Sequence, residues 1–242
     1  MKKWISAVLS IAMLMSFGVN AYADTESETE PEEENGKSYT GVIFDTDRSQ
    51  EFSEEELERI EEKLASVEAL KNSPVQNRLF KFTLPGFTME QQENDIYCVP
   101  ACVKSSLTYI TGKADSQSSI AKDMGTSPDI GGTFDTKIAP YMNQKQSRYT
   151  YLRSDNPSAS SIGLLSYTAI VTNDAPAFVL IAADKLHWRY ETDGHCMNIR
   201  SVYSDKLIVE YADPMGGIEP EYPVYEDIAV YDLKDACKGL IW

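Results

Sequence analysis

Three strand-length apolar runs lie between residues 176 and 213, the last two almost touching, and they limit what this 242-residue chain can fold into more than any other feature. PAFVLIAA (176–183), HCMNIRSVY (195–203) and KLIVEYAD (206–213) have the length and apolar content of strands, and the third ends at Pro214 and Gly216-Gly217. Upstream of them the pattern is mostly helical. A helix is expected from Cys98–Pro100 to Gly112, with that glycine as its C-terminal cap. Shorter helices are expected at 117–124, at 133–143 after Gly131-Gly132, and at 160–173. A last helix near 225–236 and a closing GLIW strand complete the chain. Helices mostly first and neighbouring strands later make an α+β arrangement. No internal repeat is visible.

The N-terminus reads as a targeting segment. Lys2 and Lys3 precede an apolar stretch from Trp4 to Val19, and Ala21-Tyr22-Ala23 is a small-x-small cleavage site, so 1–23 is expected to be a removable signal peptide and the protein to be secreted. The apolar run is too short, and too abruptly followed by acids, for a stable membrane span. No cysteine follows the expected cut, so no lipid anchor is expected. Residues 24–35, with seven acids and no large apolar group, read as a solvated linker.

Residues 36–80 form an N-terminal extension. A strand-like SYTGVIF leads to a helix from Ser53 to Lys71, with Ser53 and Glu56 as a capping box and Leu57, Ile60, Leu64 and Val67 as one apolar stripe. That helix is either an N-terminal part of the fold or an inhibitory pro-segment lying across a site. The first reading is preferred, because nothing here marks a processing site. Asp45, Asp47, Ser49, Phe52, Ser53 and Glu56 also match a calcium-loop spacing, but Gln50 stands where that loop needs glycine. A capped acidic helix explains them without calcium.

Charge excludes several function classes. The whole chain has 22 basic and 38 acidic side chains, and 24–71 alone holds 17 acids against five bases. A chain of this kind repels phosphate backbones and anionic membrane surfaces, so neither nucleic acid nor membrane is expected as a partner. With two histidines and no CxxC pair, neither a metal site nor any cofactor is expected.

The chemistry concentrates in QQENDIYCVPAC and GHCMNI. Cys98 stands at the start of its helix, where the dipole and the free backbone N–H groups favour a thiolate, the nucleophilic form. An acyl transfer also needs donors aimed at the developing oxyanion, and the Gln92 side-chain amide with the Cys98 backbone N–H can supply two. Gln91 is the fallback for Gln92. His195, which begins a strand after a glycine, is the candidate base. A two-residue hairpin loop at Ser204-Asp205 places it opposite position 214, so Asp213 falls within about one residue of facing it, close enough to orient the imidazole. His187, in a polar loop, reads as a surface or substrate-rim residue. Cys102, Cys196 and Cys237 allow at most one disulfide if Cys98 stays free, and their pairing is open.

Gln92…Cys98, Gly194-His195 and Asp213-Pro214, in this order, resemble papain-like cysteine peptidases. QQENDIYCVPAC, Gly132-Thr133 and GHCMNI…YADPMGG are closer to the family of the double-glycine leader peptidases of bacteriocin exporters, family thirty-nine of the cysteine peptidases, over roughly 85–242. The resemblance implies a papain-like fold over 81–242, with the nucleophile-bearing helix packed on an antiparallel sheet. It makes Cys98 the nucleophile, His195 the base, Asp213 the orienting acid and Gln92 the oxyanion donor. Val99 departs from the glycine that commonly follows the nucleophile, and Cys196 from the aliphatic residue usual after the histidine. No transporter segments accompany the match, so an exporter-coupled role is not implied.

The function expected is therefore a secreted cysteine peptidase acting on a peptide or protein through a thioester. The alternatives are a catalytically inactive peptide-binding module of the same fold, motivated by the two departures, and an acyltransferase using the same triad. Substrate specificity and oligomeric state are not legible in the sequence.

Overall fold

The computed structural model describes residues 39–48, 52–72, 78–217 and 222–242. The expected signal peptide and acidic linker lie outside the described residues, as does Ser49 of the calcium-like spacing. In chain order the elements are β1 (Tyr39–Thr40), β2 (Val42–Ile43), α1 (Glu54–Lys71), β3 (Lys81–Thr83), α2 (Cys98–Thr111), α3 (Gln117–Met124), β4 (Thr133–Phe134), α4 (Ile138–Lys145), β5 (Arg153–Asp155), α5 (Ala159–Tyr167), β6 (Ala177–Ala183), β7 (Thr192–Tyr203), β8 (Ile208–Ala212), β9 (Tyr225–Ala229), α6 (Val230–Ala236) and β10 (Cys237–Ile241). This is the expected α+β arrangement, with α2 packed on β7 of a largely antiparallel sheet.

β7 is the spine of that sheet. The main order is β5-β10-β6-β7-β8-β9, and β7 carries two further partners. Its residues 192–199 pair with β6, and β3 continues along the same edge opposite 201–203. On the other edge β8 pairs antiparallel with 198–202, and β1 runs parallel beside Thr192 and Gly194. A 12-residue strand is long enough to hold four neighbours only because each covers part of it. The apolar run that predicted β6 is buried from Ala177 through Ile181, as expected of a strand covered on both faces.

Local signals formed several helix ends as expected. Both halves of the Ser53–Glu56 capping box are present, and Gly112 closes α2 in the left-handed conformation, φ 78°. Ser116 and Ser158 cap α3 and α5 with their hydroxyls.

Tertiary contacts overrode other expectations. The strand-like SYTGVIF breaks at Gly41 into β1 and β2, which join two different sheets. The helix expected over 133–143 begins only at Ile138, because Thr133 and Phe134 pair with β2 and a 3-10 turn follows over Asp135–Lys137. The helix expected over 160–173 ends at Tyr167 and passes into a π-turn at Thr168–Thr172. The helix expected from 225 is a strand up to Ala229, since that stretch completes the sheet against β8 in a five-pair register. The β7–β8 connection runs over four residues, Ser204–Leu207, with Lys206 at φ 62°, and a bulge lies between Ile199 and Ser201. Asn198 therefore pairs with Ala212, and the two-residue loop register is not adopted.

The apolar stripe of α1 is rotated from expectation. Ile60, Lys63 and Val67 are buried, whereas Leu57 and Leu64 remain 38 % and 40 % exposed. Lys63 lies among apolar residues because its ammonium donates to the backbone oxygens of Thr150 and Trp242 and sits 4.3 Å from the Trp242 ring centre. Burial pushes its pKa down to about 7.

Candidate active site

α2 begins at Cys98 with no side chain capping it at Tyr97. Pro100, in the first turn, has no N–H of its own, so the positive end of the helix is presented by the amides of Cys98 and Val99. Both residues are fully buried. The β-strands bring the second group: His195 lies in β7, and Asp213 directly follows β8.

His195 Nε2 is 2.8 Å from Asp213 Oδ1, and both side chains are only 2 % exposed. Burial by itself disfavours an imidazolium, but the Asp213 charge and the hydrogen bond to its carboxylate, with a smaller favourable contribution from the neighbouring Cys98, outweigh it and raise the His195 pKa to about 10. Burial likewise opposes ionisation of Asp213. The His195 charge and the donors from His195, the Met215 backbone and Tyr190 more than offset it and hold the carboxyl below its usual range.

Cys98, His195 and Asp213 are thus brought together, the last two hydrogen bonded to each other and Cys98 near enough to act on the His195 charge. The β-bulge changes the strand register but not this outcome, because Asp213 reaches back from just beyond the strand end.

Gln92 is placed by its backbone. Its N–H donates to Pro214 O at 2.9 Å, which fastens the loop ahead of α2 to the turn that carries Asp213. Its side-chain bond is local, from Nε2 to Asn94 O at 2.9 Å, and its Oε1 is buried without a partner. Gln91 points elsewhere, donating to Gly216 O. His187 is about half exposed and pairs with Asp184 at 2.7 Å, away from the buried series.

Two contributors escaped sequence reasoning. Tyr190 donates its hydroxyl to Asp213 Oδ2 at 2.8 Å and sets its ring edge-on to His195, 5.7 Å between centres. Nothing in KLHWRYETDG distinguishes it from an exposed loop tyrosine. Gln117 is buried at the start of α3, donating to Gln91 O and accepting from Glu93 N, so it straps the loop that precedes Cys98.

The four cysteines are free thiols, and all are buried. Cys102 donates to the backbone oxygen of Cys196 at 3.3 Å, and burial is the main cause that pushes its pKa well up. Asp45 accepts from the Asp47 N–H and the Thr136 hydroxyl, while Ser53 and Glu56 cap each other, so these calcium-spaced residues serve the local fold.

Among solved structures, the chain is similar to the peptidase domain of Streptococcus ComA, a bi-functional ABC transporter involved in a quorum sensing pathway. The identity is 16%, with a TM-score of 0.42, over 64% of this chain and 96% of that one. No curated protein matches. The model of the Peptidase_C39 like family matches residues 85–233, which include Gln92, Cys98, His195 and Asp213. That span is more than half of the sequence, and the chain belongs to the Peptidase_C39 like family.

Proposed function

We propose that the protein is a secreted cysteine peptidase that hydrolyses a peptide or protein through Cys98, His195 and Asp213. The observation that carries the reading is the buried His195–Asp213 pair beside a thiol that stands at the start of α2. Secretion rests on the basic, apolar and small-x-small order of residues 1–23.

In the reaction, Cys98 Sγ forms a bond to the scissile carbonyl carbon while its proton resides on His195. The oxyanion meets the Cys98 N–H and the Gln92 amide. An amide nitrogen carries two N–H donors, and the one not given to Asn94 serves this purpose. As the tetrahedral intermediate collapses, the C–N bond breaks and His195 protonates the departing amine. Water, deprotonated by His195, then attacks the thioester, releasing the acid and restoring the thiol. Asp213 keeps Nε2 occupied so that Nδ1 faces the sulfur, and it balances the imidazolium charge. Every group needed is a side chain or backbone amide of this chain.

A peptide-binding module without turnover is the second reading, and the complete burial of Cys98 favours it. An amine in place of water at the thioester would give acyl transfer, visible as a product of correspondingly greater mass.

The test is the pH profile with which a thiol-directed peptidase inhibitor labels Cys98, the adduct being mapped by mass spectrometry. As the base that takes the thiol proton, His195 is expected to be needed for labelling at neutral pH. His195→Ala is expected to slow that labelling; an unchanged profile overturns the assignment. Cys98→Ala is expected to abolish peptide hydrolysis with the fold retained.

A further inference from the structure

Cys98 is fully buried, and this chain's own N-terminal extension runs beside its sulfur. β1 runs along β7 beside Thr192 and Gly194, and β2 runs along Thr133 and Phe134. The residue between them, Gly41, crosses over the thiol. A methyl group on Gly41 would come within 2.5 Å of Cys98 Sγ, and one on Gly132 within 2.3 Å of Gly41 O. On the opposite wall, a methyl on Gly194 would come within 2.0 Å of Val42 O. Real side-chain carbons essentially never approach closer than 3.0 Å. The channel over the thiol is therefore one backbone wide, with glycine on both walls and in the strand that fills it.

The strand is also clipped at its exit. Asp135, fully buried, accepts from the Asp45 N–H at 3.0 Å, from Arg48 Nη1 with both oxygens at 3.0 Å, and pairs with Arg153 at 2.8 Å. The Gly41 oxygen accepts from Thr133 N–H at 2.9 Å on β4, and not from the amides at the start of α2. The strand thus runs beside the thiol without presenting the Gly41 carbonyl to the amides at the start of α2.

We propose that residues 39–44 are an intramolecular occupant of the catalytic channel that keeps the chain latent until the segment lifts away. The consequence for activity rests on the peptidase reading, but the shielding itself does not.

Iodoacetamide labelling of Cys98 at about pH 9, where a thiol ionises without help from His195, tests the shielding in the full chain. Gly41 is not among the positive-φ glycines, so a larger residue is tolerated by its backbone and refused only by the channel. Gly41→Val is expected to raise the labelling rate by roughly tenfold or more, because labelling no longer waits for local opening. Cys102, Cys196 and Cys237, buried elsewhere, should stay unlabelled and report a retained fold. Arg48→Ala leaves the channel untouched and releases only the clip. It should give the same direction with a smaller factor, and it carries the test if Gly41→Val exposes the other thiols. Equal Cys98 rates in the wild-type chain and the folded variants, whether fast or slow, overturn the proposal. Failure of the peptidase reading looks different: the neutral-pH profile is then indifferent to His195→Ala, while the alkaline acceleration by Gly41→Val persists.

Discussion

Tyr190 shows how a buried carboxylate is kept charged at this site. Asp213 has two oxygens: one receives His195 and the Met215 N–H, and the other receives Tyr190. Tyr190→Phe removes only the last donor. An unsatisfied buried polar atom costs about 1–3 kcal/mol, so the urea midpoint should fall. The Asp213 carboxyl should titrate higher, and labelling of Cys98 at neutral pH should slow by less than in His195→Ala. A phenylalanine variant with both the midpoint and the profile unchanged would exclude Tyr190 as a positioning residue. Cys98, His195 and Asp213 could be singled out in the sequence because their types and order are tied to one chemistry. Tyr190 was not, since a tyrosine in a polar loop has no spacing to betray what it meets.

At the level of elements, the signals that could be read were those satisfied within a few residues. The cap of α1 and the glycine ending α2 belong to this group, while the runs that became β6 to β8 were readable from their own length and apolar content. What could not be read depends on a distant partner: β9 is a strand because β8 offers an edge, and 133–134 is extended because β2 arrives beside it. Two variants probe these two kinds of determinant. Ser53→Ala removes a local cap and should cost about 1 kcal/mol, measured by chemical denaturation. Gly163→Ala probes a distant one, as its methyl would lie 1.8 Å from the Lys206 oxygen where α5 meets the β7–β8 connection. That clash cannot be relieved by a rotamer change, and overpacking of this kind should cost about 1–3 kcal/mol or more. A Gly163→Ala chain as stable as the wild type would show that the connection yields.

For the whole molecule, the buried His195–Asp213 pair sets a pH range for folding. The folded His195 pKa is raised above its unfolded value of about 6.5, so protonation favours the folded state. That contribution is fully present below about pH 6.5 and is lost as pH rises toward the folded value of about 10. Denaturation midpoints measured across this window should fall more in the wild type than in His195→Asn; parallel curves would mean that the ring is not charged in the fold. Asp213, lowered in the fold, adds stability that is present above its unfolded pKa and is lost as the solution is acidified. The sheet order that joins these residues was not legible, because β7 acquires its partners from both ends of the sequence.

Lys63 binds α1 to the carbonyls of Thr150 and Trp242, and this makes the strand over Cys98 a ligand on a leash. If the strand peels away while α1 stays docked, it returns across only the ten residues, 44–53, between β2 and α1. A short tether of this sort corresponds to an effective concentration on the order of millimolar. Any free peptide or inhibitor competes against that concentration, and its apparent affinity for the full chain is weakened in proportion. Affinities measured on the intact protein therefore report this competition as well as the fit of the channel.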